Sequence, residues 1–116
     1  MIMDRHNTRR FVDKVDFVTS PGYLTGPGAR EEAGLSPNTG PSKVVTDLGL
    51  FDFHPETKIM RLIAIHPGIT VDQVKEATGF ELELADNIGT TEPPTAEDLR
   101  LLHDVIDPTG RIFPKK

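Results

Sequence analysis

The 116-residue sequence contains no cysteine, which excludes disulfide bonds and thiolate metal sites and favours a reducing compartment. It also lacks any apolar run near the roughly 18 residues that a membrane span requires. The opening MIMDRHNTRR has too few apolar residues for the hydrophobic region of a signal peptide. We therefore expect a cytoplasmic protein with no membrane partner.

An excess of positive charge is missing as well. The chain has 13 lysines and arginines against 18 acidic residues, a formal net charge of −5. Binding to phosphate backbones needs a basic surface, so this balance argues against a nucleic-acid partner. One basic cluster is predicted to be a solvated lead-in to a strand, with contact to a phosphate or an acidic ligand as the alternative. Its residues are Arg5, His6, Arg9, Arg10 and Lys14.

Generic catalytic and cofactor motifs are absent too. There is no G-x-S-x-G and no S-x-x-K, and the Gly26-Pro27-Gly28 run has Glu31 where a dinucleotide motif needs its third glycine. His54 and His66 flank one predicted strand, which places them about 20 Å apart and excludes a shared metal ion. The sequence predicts no metal site and no bound cofactor.

Glycine and proline, in contrast, are abundant. They make up ten residues each, while apolar residues reach only 36%, so we expect a thin core and long loops. The segment 20–42 begins SPGYLTGPGARE and is predicted to be one long loop, in which only residues 29–35 can form a helical turn. A loop of this length is usually functional or mobile, and the residues alone leave both readings open.

Hydrophobic patterning predicts several strands. Alternation over residues 15–19 indicates a strand that Ser20-Pro21-Gly22 ends, and residues 43–53 form a strand that is apolar on both faces. Gly49 within it marks a bulge or a close backbone approach. Residues 59–65 pair back, so 43–65 is predicted to be a hairpin, and residues 81–84 form a short further strand.

Two helices are predicted from their capping residues. One spans 70–78, with Thr70 as N-cap, Gln73 completing a capping box, and Gly79 as the left-handed stop. After a linker over 85–94, the other spans 95–106, with Thr95 as its cap and Asp98 three residues on. Strands and helices together predict an α/β fold in a single domain.

The order of these segments resembles a known family. RRFVDKVDFVTSPG, GPGAREEAGL, GPSKVVTDLGLFDF, HPGITVDQVKEATGFEL and TTEPPTAEDL follow one another as in the B subunit of family I coenzyme A transferases of the glutaconate type. The resemblance covers about residues 3–108 and lies in the second half of that subunit. It implies a mixed-sheet, open α/β-layered CoA-transferase-like domain. The whole chain, 1–116, would be its carboxyl-terminal portion, and residues 1–3 the end of a preceding strand.

The resemblance also implies a chemistry. In such enzymes a glutamate attacks an acyl-CoA thioester, and coenzyme A then passes through a glutamyl thioester to another carboxylic acid. The family carries this glutamate in the first half of the B subunit, within Glu-Asn/Ser-Gly. That triplet is absent here, and Glu32-Ala33-Gly34 matches it only superficially. We therefore expect no catalytic residue in this chain and no activity alone. The partners would be an A subunit and the missing first half of the B subunit, and coenzyme A would be a substrate.

For the loop 20–42, the resemblance implies a place at the acyl-CoA cleft or at the A-subunit interface. It would follow a strand end, where ligands of open α/β sheets gather. Glycines allow close backbone approach, and Arg30 would meet a CoA phosphate or a substrate carboxylate. The candidate binding residues are Ser20, Gly22, Gly26, Gly28, Arg30, Gly40 and Ser42.

Two alternatives remain open at this point. Related B subunits occur in enzymes that hydrolyse a ring of a CoA-bound steroid intermediate, and they share the GPGARE loop. The chain could also be a non-catalytic module that only pairs with other subunits. An isolated chain would expose apolar surface and form homo-oligomers.

Overall fold

The fold is built on a four-stranded mixed sheet. The structure is a computed structural model that describes residues 1–114. In spatial order the strands are β1 (Val44–Val45), β2 (Gly49–Phe53), β3 (Met60–Ile65) and β4 (Glu83–Thr90). The first three pair antiparallel, and β4 lies parallel to β3. This confirms the predicted α/β class and the hairpin of β2 and β3. Within residues 1–114 no helix is long and apolar enough to cross a membrane.

Both predicted helices are present, each with its predicted cap. They are α2 (Val71–Glu76) and α3 (Ala96–Arg100), the latter continuing into a π-helical segment (Leu101–Ile106); α1 (Ala29–Glu32) is the short turn of the long loop. The Thr70 hydroxyl accepts from the Gln73 N–H at 3.2 Å, and Oε1 of Gln73 accepts from the Thr70 N–H at 2.8 Å. Thr95 and Asp98 form the same reciprocal pair at α3. Each box satisfies N–H groups that a helix start leaves unpaired.

The hydrophobic core is small, as the composition predicts. It joins the hairpin to α2 and to the segments on either side, and its buried apolar members are Phe11, Val44, Phe51, Leu62, Val74 and Leu82. Phe51, Leu62 and Val74 are fully buried, so the β2–β3 pair and α2 form its centre.

The predicted strand over residues 15–19 is wrong. Phe17 is 80% exposed, Val15 and Val18 are also exposed, and no described strand pairs with this segment. The nearest sheet-like contact is a parallel bridge from Val12 to Gly79. Alternation alone did not create a strand because no partner edge lies alongside. The loop 20–42 therefore does not leave the end of a sheet strand.

The predicted strand 43–53 is interrupted by a turn. The Thr46 N–H donates to the Gly49 carbonyl at 2.9 Å, and the Thr46 hydroxyl accepts from the N–H groups of Leu48 and Gly49 at 3.1 and 3.2 Å. Hydroxyl-to-backbone bonds of this kind are typical of turns. Residues 44–45 thus fold back on β2, and Val44 lies opposite Phe51.

Two glycines permit close contacts between chain segments. A Cβ on Gly49 would lie 2.6 Å from the Ala64 carbonyl oxygen, which confirms the predicted close approach. Gly79 is predicted to be a left-handed helix stop, but its φ is not in that region. Instead, its N–H donates to the Phe11 carbonyl at 2.7 Å, and a Cβ there would lie 2.5 Å from that oxygen.

Strand β4 is longer than predicted. The polar sequence of residues 85–90 predicts a linker, yet these residues continue the strand to Thr90. The pairing runs from Arg61–Glu83 to Ile65–Thr90, with an irregularity between Leu62 and Ala64. Pairing with β3 therefore outweighs the weak strand preference of this segment.

His6 lies in the core, not in a solvated basic lead-in. It is 6% exposed and stacks on Phe11 with ring centroids 3.9 Å apart. Its Nε2 is 2.8 Å from the Thr78 hydroxyl, which itself donates to the Val74 carbonyl; Nε2 must therefore carry the proton and donate. Its Nδ1, 3.1 Å from the Thr46 hydroxyl, then accepts. The arrangement holds a neutral imidazole.

This geometry makes stability depend on pH. Burial lowers the pKa of His6 below its ordinary 6.5, and the Asp47 carboxylate opposes that shift only in part. The unfolded chain takes up a proton near the ordinary pKa while the folded chain does not, so this contribution to stability is complete above about pH 6.5 and declines as the pH falls below it. We expect the difference in unfolding free energy between wild type and His6→Gln, measured in urea, to shrink from about pH 7.5 to about pH 5. A difference independent of pH would show that His6 is not held neutral.

Candidate functional site

A cleft lies between the loop 20–42 and the turn that connects β2 to β3. Its volume is about 470 Å³, within the range of roughly 300–1,000 Å³ that is usual for small-molecule sites. Loop and turn residues line it: Tyr23, Gly26, Pro27, Gly28, Arg30, Glu31, Asn38, Thr39, Gly40, Ser42, Pro55, Glu56 and Lys58.

Most of the predicted binding residues meet at this cleft. Gly26, Gly28, Arg30, Gly40 and Ser42 line it, although they span seventeen positions of the sequence. Ser20 and Gly22 are not among the lining residues. Gly22 instead supports the loop by accepting from Arg30 at 2.8 Å. The structure thus brings five of the seven candidates together, and their contact with a ligand stays a prediction.

Arg30 ties the two ends of the loop together. One terminal nitrogen, Nη1, donates to the carbonyls of Pro21 and Gly22 at 2.9 and 2.8 Å, and Nη2 donates to the Thr39 hydroxyl at 2.9 Å. Its Nε is buried and has no hydrogen-bond partner in the described chain. All three acceptors are neutral, and no carboxylate among residues 1–114 forms an ion pair with Arg30, so its positive charge is held at the cleft.

Tyr23 is a cleft residue that the sequence did not identify. Its hydroxyl donates to the Pro41 carbonyl at 2.8 Å, and its ring packs edge-on against Phe53 at 5.1 Å. Gly40 has φ +137°, and a Cβ on it would lie 2.9 Å from the Tyr23 ring, so only glycine fits there. The one signal was that the chain's single tyrosine lies in the Gly/Pro-rich loop.

Lys58 is the second cleft residue that the sequence did not identify. It is half-buried, and its backbone has φ +61°, a conformation that lysine rarely adopts. Its ammonium donates to the Pro55 carbonyl at 2.7 Å and lies 5.4 Å from the centroid of the Tyr23 ring. The HPETK segment predicts only a turn, and its sequence does not indicate that the lysine faces the loop 20–42.

Histidine shapes the turn that carries Lys58. Nδ1 of His54 accepts from the N–H groups of Glu56 and Thr57, both at 3.2 Å. The His54 carbonyl accepts from the Lys58 N–H at 2.9 Å. The imidazole thus organises the turn, which places Lys58 beside the loop.

His66, at the end of β3, has a structural role. Its Nε2 donates to the Thr46 carbonyl at 2.8 Å, and its Nδ1 lies 2.6 Å from the Thr91 hydroxyl. Across the part of the chain that the structure covers, no three His, Cys, Asp or Glu side chains group as a metal site would require.

Comparison with known proteins gives the family. The sequence model of the family described as "Coenzyme A transferase" matches residues 1–77. The B subunit of glutaconate CoA-transferase from Acidaminococcus fermentans is 43% identical over 113 residues, which cover 97% of this chain and 42% of that protein. The cholesterol ring-cleaving hydrolase IpdB subunit from Rhodococcus jostii is 36% identical, over 90% of this chain and 40% of the relative.

The fold agrees with these sequence matches. The crystal structure of glutaconate coenzyme A-transferase from A. fermentans superposes with a TM-score of 0.88 at 41% identity, covering 99% of this chain and 44% of that chain. The present chain therefore spans about two fifths of the length of the relatives it matches. Family match, identity and superposition agree with the mixed sheet described above, and the chain belongs to the coenzyme A transferase family.

Proposed function

We propose that this chain is part of a B-type subunit of an enzyme that moves coenzyme A between an acyl-CoA and a carboxylic acid. The observation that carries the proposal is the 43% identity to the B subunit of glutaconate CoA-transferase across 97% of the chain. The reactive glutamate would come from outside these 116 residues, since they contain no Glu-Asn/Ser-Gly triplet. Another segment of B-type sequence and an A subunit would complete the enzyme, which would be cytoplasmic.

The exchange proceeds by covalent catalysis. A glutamate oxygen attacks the thioester carbonyl, and the C–S bond breaks. The coenzyme A thiolate departs, and the acyl group stays on the enzyme as an acyl-glutamyl anhydride. The thiolate then attacks the glutamyl carbonyl of the anhydride, which forms the glutamyl thioester and releases the first acid as its carboxylate. A second carboxylate then attacks the glutamyl thioester, and the same steps in reverse form its acyl-CoA and regenerate the glutamate. Coenzyme A is thus a substrate, and each step exchanges one acyl bond for another.

The role of this chain in that scheme is to form a wall of the acyl-CoA cleft. The loop 20–42 is fixed by Arg30 through three hydrogen bonds, and the Tyr23–Pro41 bond joins its beginning to its end. Positive φ at Gly26, Gly28 and Gly40 gives it a shape that most residues cannot adopt. A wall that is already ordered loses little entropy when substrate binds.

Reconstitution tests this proposal. The full chain is combined with an A subunit and the remaining B segment of the A. fermentans relative, and transfer of coenzyme A from glutaconyl-CoA to a second carboxylic acid is followed. We expect transfer by the assembled complex and none by the chain alone. A stable complex without transfer would contradict the proposal and favour a pairing module.

Ring hydrolysis is the second candidate, since IpdB from R. jostii is 36% identical over 90% of the chain. The two reactions differ in their acceptor. A transferase needs a second carboxylate, whereas a hydrolase opens the ring of a cyclic acyl-CoA with water alone. Product formation by the complex from a cyclic acyl-CoA without added acid would favour the hydrolase.

A further inference from the structure

Lys58 is a half-buried cation that lies at the cleft and has no carboxylate partner among residues 1–114. Lysine is mostly exposed in folded proteins and is almost never fully buried unless its charge is paired. Among residues 1–114 the ion pairs join Arg10 to Asp4, Arg61 to Asp52 and Arg100 to Glu97, and none includes Lys58. Its ammonium has three donors, and a carbonyl takes one of them.

The backbone conformation at Lys58 is unusual for a lysine. At φ +61° the common residues are glycine and asparagine, which tolerate this region far better than lysine does. A turn that needed only this conformation would be served better by either of them. The side chain is therefore the feature to explain, and it points toward the Tyr23 ring on the opposite side of the cleft.

The charges around the cleft favour an anion. Four charged residues line it: Arg30 and Lys58 are half-buried, whereas Glu31 and Glu56 are exposed. Water screens exposed carboxylates strongly and half-buried cations less. Within residues 1–114 the oxygens that accept from these two cations are all neutral. The two basic residues of the cleft are therefore less exposed than its two acidic residues, although the chain as a whole carries −5.

We propose that Lys58 is a specificity residue that binds an oxyanion of the substrate at this cleft. The identity of the substrate rests on the proposed function: the oxyanion is either a phosphate of coenzyme A or the carboxylate of the acid. Tyr23 supports the ammonium from one side, and Arg30 fixes the opposite wall without itself needing to touch the ligand. An ammonium-to-oxyanion bond is charge-assisted and therefore stronger than a bond between neutral groups.

Lys58→Asn tests the assignment, because asparagine removes the charge and tolerates the left-handed backbone. Lys58→Gly serves as a second variant that also suits this conformation. The matched control is Lys75→Asn, since Lys75 is exposed on α2 and gives the same change of net charge. Urea unfolding of each variant establishes that it folds before any ligand measurement.

Kinetics of the reconstituted enzyme separate the two sources of the oxyanion. We expect Lys58→Asn to raise the KM of one substrate about tenfold or more with kcat little changed, and Lys58→Arg to retain most of the affinity. A rise confined to acyl-CoA assigns a phosphate, and a rise confined to the free acid assigns a carboxylate. Folded Lys58→Asn and Lys58→Gly enzymes with both KM values unchanged would overturn the proposal.

A binding measurement keeps this test distinct from that of the proposed function. Adenosine 3′,5′-bisphosphate and glutarate are each titrated into the full chain by calorimetry. We expect one of them to bind, about tenfold more weakly to Lys58→Asn and unchanged for Lys75→Asn. Binding with that pattern supports the subsite even if the complex transfers no coenzyme A. Equal weakening by both variants, or no binding of either probe to the wild type, contradicts it.

Discussion

Replacing Gly49 by alanine is expected to destabilise the fold by about 3 kcal/mol. A Cβ at this position would lie 2.6 Å from the Ala64 carbonyl oxygen and 3.1 Å from Cδ1 of Leu62. The first of these atoms is backbone within β3, so it cannot turn away as a side-chain end can. Relief requires β2 and β3 to separate beside Phe51, at the centre of the core.

The matched control is Gly89→Ala. Gly89 also lies in a strand, β4, but a Cβ there would meet its nearest neighbour, the Ile63 carbonyl oxygen, only at 4.0 Å. That contact is ordinary, so its stability should change by less than about 0.5 kcal/mol. Urea unfolding followed by circular dichroism measures both variants. Equal effects of the two substitutions would show that the β2–β3 approach at Gly49 is not close.

Elements that depend on local chemistry were predictable from sequence. Both helix starts follow from capping boxes whose partners lie three residues apart, and the β2–β3 hairpin follows from two apolar runs around a short turn. The elements that were missed depend on contacts between distant segments. Residues 15–19 alternate but have no neighbouring strand within residues 1–114, and β4 is polar yet pairs with β3.

The same division applies to the candidate site. Glycine density and the GPGARE run identified the loop, and five of its predicted residues line the cleft. The sequence did not predict Tyr23 and Lys58 as cleft residues, because their positions depend on how the loop packs against the turn at 54–58. That packing is set by tertiary contacts, such as the ring of Tyr23 on Phe53, which no spacing in the sequence encodes.

Thr46 forms hydrogen bonds with several of these distant segments. Its hydroxyl forms hydrogen bonds with Nδ1 of His6 and with two N–H groups of the turn before β2. Its carbonyl accepts from His66 at the end of β3. Through His6 it joins residues that lie forty positions apart, and through His66 it reaches Thr91 after β4. One 4%-exposed threonine thus connects the first residues, both sides of the hairpin and the end of the sheet.

Thr46→Val is expected to cost about 4 kcal/mol, since it keeps the shape of the side chain but replaces the hydroxyl with a methyl group that cannot form hydrogen bonds. The N–H groups of Leu48, which is partly buried, and Gly49, which is buried, would lose their acceptor, and Nδ1 of His6 would lose its donor. Each buried group left without a partner costs about 1–3 kcal/mol, and the three losses share one site, so they add incompletely.

Thr46→Ser provides the control because serine keeps the hydroxyl and loses a methyl group, for an expected cost of about 1 kcal/mol. Urea midpoints give the stability of both variants, and the ¹⁵N shifts of His6 report its tautomer. In wild type the proton should reside on Nε2, and serine should preserve this, whereas valine should shift the imidazole toward a mixture. Valine and serine variants of equal stability, with the same His6 spectrum, would show that packing around Thr46 matters and that its hydroxyl does not.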